Sequence, residues 1–351
     1  MSVNPKDSDS SAQVPADETL EDQISRTRHT LQIGGEKLRY TATAGTLVLK
    51  QEEEGDDKES KGEKAKASIF FIAYTKDAPQ GADEVEYRRQ RPVAFAFNGG
   101  PGSSSVWLHL GLLGPRRVRA MDENDKVLPP PYRLVDNQQS LLDETDLVFV
   151  DPVSTGFSRA VPGEKTDQFH GLKSDIETVG DFIRLYTTRY RRWSSPKFLI
   201  GESYGTTRAA GLSGYLQDRH GMYLNGIILV SAILNFQTAR FYPGNDLPFV
   251  LFLPTFAATA WYHRKLPEAL QADLHATLKK VEDFALGDYN FALMKGAALS
   301  GDARRQVVEK LVRYTGLSQT YIEAADIRIN IHRFTKELLR DQHRTVCLLY
   351  T

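Results

Sequence analysis

Four short apolar runs, each leading toward a helical stretch or a glycine-rich break, constrain this chain more than any other feature. They are "PVAFAF" (92–97), "DLVFVD" (146–151), "KFLIGE" (197–202) and "GIILVSAIL" (226–234). Each is continuous rather than alternating, as in a strand buried on both faces, and such strands belong to parallel sheets covered by helices. Between the second and third runs, Ile176, Val179, Ile183 and Tyr186 share one face of a predicted helix, with Asp175, Glu177, Asp181 and Arg184 around them. Between the third and fourth, "TTRAAGLSGYLQDRH" predicts another helix, with small residues where it packs closely. Strands alternating with helices predict an α/β fold, a mostly parallel sheet with flanking helices.

The flanking regions differ. "HTLQIGGEKLRYTATAGTLVLK" (29–50) predicts a hairpin around Gly34-Gly35. The charge run that follows, "QEEEGDDKESKGEKAKA", reads as a solvated loop, and "SIFFIAYTK" (68–76) resumes the sheet. After Leu234 the pattern becomes helical. Leu266, Leu270, Leu274, Leu278 and Val281 recur at helical spacing; a second helix is expected from an Asp302 N-cap to Gly316, and a third, broken one beyond Thr320.

Composition narrows the function. Hydrophobic residues make up 41% of the 351, enough for a sizeable core. A formal net charge of −1 argues against a nucleic-acid partner. The single cysteine, Cys347, excludes an intrachain disulfide, and no His, Cys or carboxylate spacing suggests a metal or other cofactor. Residues 1–24 are polar and acid-rich, read as a disordered tail without a secretory leader, and no run is long and apolar enough for a membrane helix. These features point to a cytoplasmic protein.

Two glycine-rich breaks carry the chemistry. Gly201-Glu202-Ser203-Tyr204-Gly205 matches G-x-S-x-G and sits between an apolar strand and a small-residue helix. The flanking glycines permit a strained turn that lifts the Ser203 hydroxyl from the sheet, with a helix N-terminus beneath it. Acyl transfer also needs donors for the oxyanion, one from the amide after the nucleophile, Tyr204, and one from a loop after an earlier strand. Asn98-Gly99-Gly100, after "PVAFAF", fits that place.

In this order and at these separations, "FNGGPGSSS", "DLVFVDPVSTGFS" and "GESYG" resemble the serine carboxypeptidases of peptidase family S10. The resemblance implies an α/β-hydrolase fold with a helical cap insertion and release of C-terminal residues from a peptide, or a small acyl substrate, through an acyl-enzyme. It implies Ser203 as nucleophile, and Gly100 and Tyr204 as the oxyanion hole. It implies Asn98, Gly99 and Glu202 as the site for the substrate's carboxylate, Glu202 sharing a proton with it. Residues 25–234 would form the core and 235–351 the cap. Two positions depart from the family. Ser103 stands where many secreted members carry a bridged cysteine, and Leu112 where many carry a glutamate. Leu112 leaves an esterase or acyltransferase as an alternative, and a non-catalytic pseudo-hydrolase as a third.

The base is missing from this pattern. In this fold an aspartate and a histidine should follow later strands. His220, His263, His275, His332 and His343 all fall on predicted helices or their ends, as surface or cap residues, and the acids Asp246, Asp288 and Asp326 lie in the same helical block. The expectation is therefore a C-terminally truncated member whose last strands are absent. The strand over 226–234 would then show an unpaired, apolar edge. Trp107, Trp193 and Trp261 read as packing residues, with Trp107 near enough to the first motif to line a pocket.

Overall fold

The computed structural model describes residues 20–54, 60–122 and 127–346. Two compact units divide at Leu234/Asn235. Of the expected tail, residues 1–19 lie outside the described residues and Gln23–Ile24 already belong to a strand; Cys347 also lies outside them.

The first unit is built on one sheet. Its strands are β1 (Gln23–Ile33), β2 (Glu36–Glu54), β3 (Ser60–Lys76), β4 (Val93–Phe97), β5 (Arg116–Arg119), β6 (Arg133–Asp136), β7 (Asp146–Val150), β8 (Arg159–Ala160), β9 (Lys197–Glu202) and β10 (Gly226–Val230). The main sheet runs β1-β2-β3-β7-β4-β9-β10, β8 pairs with β3, and β5 and β6 form a separate ribbon. β7, β4, β9 and β10 are parallel, while β1, β2 and β3 pair antiparallel. After β4 the chain goes to β7 on one side, then returns to β9 on the other. The order reverses between β4 and β9, and in open α/β sheets the ligand crevice lies beyond the carboxyl ends of the strands at such a reversal. This is an α/β-hydrolase fold.

Continuous apolar strands follow from cover on both faces. Phe95, Val148, Val150 and Leu199 pack on Val179, Phe182, Ile183 and Tyr186 of α3 (Leu172–Arg189) and on Ala209, Leu212 and Leu216 of α4 (Tyr204–His220). The two shorter helices before them are α1 (Glu84–Gln90) and α2 (Val106–Leu108). Ala94, Ala96, Phe149 and Ile200 turn the other way, toward Leu108, Leu113, Leu142, Tyr40 and Tyr74. The small residues expected on α4 have a use, since a Cβ at Gly211 would lie 2.2 Å from Cδ1 of Ile176 on α3.

His109 belongs to the second of these faces. It follows α2 in a π-turn, is buried, shares a 2.7 Å hydrogen bond with the Tyr74 hydroxyl and packs on Phe149. Burial lowers its pKa from 6.5 to about 4. The unfolded chain takes up this proton below pH 6.5 while the folded chain refuses it down to about pH 4, so stability falls with pH across that window. Between pH 7 and pH 4 the loss from this one group is on the order of 3 kcal/mol. Denaturant unfolding of His109→Gln should show a visibly flatter pH profile; an unchanged slope would assign the effect elsewhere.

The hairpin is longer than the sequence suggests. Gly34 and Gly35 make its turn at positive φ, as expected. The two ends of the charge run, however, are strand rather than loop: β2 continues through Glu54 and β3 starts at Ser60, with Gln51 opposite Lys64 and Glu52 opposite Glu63, while residues 55–59 lie outside the described residues. Alternation explains it, because Lys64 and Lys66 fall on one side and both reach Glu164 at 3.0 Å. Bonds from Gln168, Lys64 and Lys66 hold the Glu164 carboxyl down at about 2.

β10 stops at Val230, four residues short of the predicted Leu234. It is the last strand of the sheet order, and Ile227, Ile228 and Leu229 are 37%, 46% and 40% exposed, so the expected apolar edge is present. Trp107 and Trp193 are exposed, which corrects their reading as packing residues; Trp261 packs against the core of the second unit.

That second unit, Asn235–Thr351, is helical, without a strand among its described residues. Its core gathers Leu253, Phe256, Val281, Tyr289, Leu311 and Phe334. The helix α5 (Leu247–Tyr262) carries Pro254 inside it. The single helix expected over the leucine repeat is two, α6 (Glu268–Gln271) and α7 (Leu274–Phe284), because Asp273 caps the second by accepting from the Ala276 amide. Ser300, not Asp302, caps the helix that ends at Gly316. Asp246, once a candidate acid, is paired with Arg328 at 2.8 Å.

Candidate active site

Ser203 occupies the turn between β9 and α4 at φ 56° and ψ −125°, a left-handed conformation that a serine adopts only under strain. Backbone bonds hold it there. Its N–H donates to the Val230 carbonyl at 3.0 Å, and its own carbonyl accepts from the Thr206 amide at 2.9 Å and hydroxyl at 2.7 Å. The hydroxyl stands on a half-buried residue at the N-terminal end of the α4 dipole, where negative charge is favoured.

The glycines of both breaks are required by contact. A Cβ at Gly201 would lie 2.2 Å from the Gly205 carbonyl oxygen, and one at Gly205 would lie 2.7 Å from that of Phe97. A Cβ at Gly99 would sit 2.4 Å from the Tyr204 nitrogen and 2.7 Å from the Gly205 nitrogen. The Gly99–Gly100 link therefore lies against the start of α4, beside Tyr204. Gly100 has φ +107°, open only to glycine, and the turn closes through the Ser103 amide on the Gly99 carbonyl at 3.1 Å.

Asn98 and Glu202 meet across the same crevice. Asn98 is fully buried; its Nδ2 donates to Glu202 Oε2 at 2.9 Å and its Oδ1 accepts from the Leu108 amide at 2.9 Å. Glu202 is half-buried. Gly99, Gly100, Asn98, Glu202, Ser203 and Tyr204 thus form one cluster at the carboxyl ends of β4 and β9.

Two groups missed by the sequence reading support this cluster. Arg208, on α4, is buried beneath it; Nη1 donates to the Asn98 carbonyl at 2.7 Å and Nε to Asp175 at 2.8 Å. Its guanidinium lies over the Phe97 and Tyr204 rings at 5.3 and 5.2 Å. The Tyr204 hydroxyl is pushed up to about 12, by burial first and then by neighbouring Asp175. Asp151 joins the second motif to the first, accepting from the Ser105 amide at 2.8 Å, with Oδ2 so close to Gly156 that a Cβ there would clash at 1.8 Å. Burial raises the Asp151 carboxyl, against the pull of the Ser105 and Phe157 amides. The only available signal was position: an arginine one turn past G-x-S-x-G and an aspartate ending an apolar strand.

No histidine of the first unit is hydrogen-bonded to Ser203 among the described residues. His29 bonds Thr27, His109 bonds Tyr74, His170 bonds Ser154 and His220 bonds Asp181. Leu112 is 50% exposed, and its carbonyl accepts from Asn137 at 2.8 Å.

A search of curated proteins found no match. Among solved structures, the chain is similar to Kex1(Δ)p, a prohormone-processing carboxypeptidase from Saccharomyces cerevisiae, at 19% identity and TM-score 0.46, over 78% of this chain and 53% of that one. The chain thus spans about half the length of that relative. It is also similar to brefeldin A esterase, a bacterial homologue of human hormone-sensitive lipase, at 15% identity and TM-score 0.30, covering 59% of this chain and 45% of the other. Acetyl xylan esterase 1 from Thermoanaerobacterium sp. matches at 10% identity and TM-score 0.30, over 91% and 70%. The profile of the serine carboxypeptidases, peptidase S10, matches residues 60–301, more than half of the chain and all three motif loops. The chain belongs to the serine carboxypeptidase family.

Proposed function

We propose that the chain is a serine carboxypeptidase that works through an acyl-enzyme on Ser203. The Ser203 oxygen attacks the carbonyl carbon of a peptide's last amide bond, that C–N bond breaks, and the C-terminal residue leaves as an amine that takes up the serine proton. Water then releases the acyl group from Ser203. The Gly100 and Tyr204 amides hold the oxyanion, and Asn98, Gly99 and Glu202 receive the free carboxylate. The observation that carries this reading is the close approach of Gly99 to the Tyr204 nitrogen beside a serine held at φ 56°.

Among the described residues of the first unit no histidine is bonded to Ser203, and a hydrolase without its triad partners keeps only about 10³–10⁴-fold acceleration over water. A fluorophosphonate probe should therefore label this 351-residue chain slowly, over hours, and not at all in Ser203→Ala. Labelling that survives Ser203→Ala would place the nucleophile elsewhere. Labelling within seconds would mean that a base reaches Ser203. Leu112, exposed where the family carries an acid, favours a second reading, an esterase on the same scaffold. N-blocked dipeptides and simple aryl esters, compared as substrates, separate the two.

A further inference from the structure

The hairpin strands carry a feature that hydrolysis does not use. Residues two apart share a face of a strand, so Arg26, Arg28 and Thr30 of β1 line up with Thr43, Thr41 and Arg39, their partners on β2. Thr75 of β3, opposite Thr41, continues the row. The other face of the same strands carries Leu31, Leu38, Tyr40 and Tyr74, which pack into the core. One side of this sheet corner is thus apolar and buried, and the other is a ladder of arginines and threonines.

That ladder forms one wall of a cleft of about 1060 Å³, closed on the far side by α1 and by Tyr186 and Tyr190 near the end of α3. Six cationic side chains line it: Arg26, Arg28, Arg39, Lys76, Arg88 and Arg192. They face two carboxylates, Asp77 and Glu84, on a chain whose net charge is −1. Some of these charges are engaged. Arg192 is bound to Asp146, Arg88 to Glu84, and Arg26 to the Tyr190 hydroxyl. Asp77 accepts from the Thr41 hydroxyl at 3.0 Å. Arg28 and Arg39 have no carboxylate partner among the described residues, whereas Lys76, opposite Tyr40 and so on the other face of β3, bonds the Asp143 carbonyl at 3.5 Å. The cleft lies at the end of the sheet where β4 and β9 begin, opposite Ser203. The six residues of β9 alone separate the two ends by about 20 Å.

Like charges gathered along one concave wall concentrate counter-ions there. Guanidinium groups present paired donors that match phosphate oxygens, and threonine hydroxyls supply further donors beside them. We propose that this cleft is a binding site for a soluble small molecule carrying clustered phosphate groups, held by Arg28 and Arg39 beside the threonine hydroxyls and remote from the Ser203 site.

Inorganic tripolyphosphate is the probe. Calorimetry at low ionic strength should show one saturable site, equally in the native chain and in Ser203→Ala. The Arg28→Ala/Arg39→Ala pair should weaken affinity by more than about tenfold, the effect of losing charge-assisted hydrogen bonds from two side chains. Arg119→Ala/Arg133→Ala, exposed arginines of the β5–β6 ribbon, should leave affinity within about twofold, since surface charges away from a site act weakly. Circular dichroism establishes that each variant is folded, and Arg28→Gln alone gives a second test if the double variant is not. No saturable binding, equal weakening by the ribbon variants, or binding only to vesicles bearing phosphoinositides would overturn the proposal.

Discussion

Gly99→Ala is expected to abolish detectable acylation of Ser203 and to destabilise the first unit by about 2–4 kcal/mol, the range of overpacking at a site that cannot yield. The new methyl would lie 2.4 Å from the Tyr204 nitrogen and 2.7 Å from both the Glu202 oxygen and the Gly205 nitrogen. All three are backbone atoms fixed by β9 and α4, so no side chain can swing aside. Either the loop or the helix start must move by the better part of an ångström, and displacement of that size costs on the order of 10²-fold in rate where positioning matters. Gly111→Ala, in the same stretch, meets nothing within 4 Å and should behave as wild type. Probe labelling and urea midpoints check both variants; near-native values for Gly99→Ala would mean that the two loops are not in contact.

Asp146→Ala should cost more stability than any other single change considered. Asp146 is 1% exposed and accepts from Arg91 at 2.7 Å, from Arg192 at 2.5 Å and from the Lys76 amide at 3.0 Å. Removing the carboxylate strands two guanidinium groups beneath the sheet, and breaking a buried pair in this way costs about 3–5 kcal/mol. Asp146→Ala/Arg192→Met removes one of those charges as well and should recover part of the loss. A double variant no more stable than the single would show that geometry, rather than stranded charge, sets the cost.

The parallel strands were legible because burial on both faces leaves a pattern that needs no partner to read. Val93–Phe97 is apolar and buried at every position, and so is β7 after its first residue, Asp146. The two glycine breaks were legible for a related reason: Gly99, Gly100, Gly201 and Gly205 each answer a backbone contact that a side chain would block. The charge run failed because solvated strands and solvated loops share a composition; Lys64 and Lys66 both pair with Glu164, about a hundred residues away. Asp273 within the leucine repeat was the same kind of miss, a local cap overriding a period. Arg208 and Asp151 were invisible because their roles depend on where strands distant in sequence end. The arginine cleft was hidden too, since Arg26, Arg28 and Arg39 look like scattered surface charge until the register places them together.

The nucleophile hangs from the outermost strand. The Val230 carbonyl that receives the Ser203 amide belongs to β10, and the Ile233 carbonyl just beyond it accepts from the Thr206 and Thr207 hydroxyls. Fraying there would let go of the elbow before any central strand opened. Deuterium uptake at the Ser203 amide should accordingly keep pace with β10 and run ahead of β4, and whatever secures that outer margin would also quieten the serine.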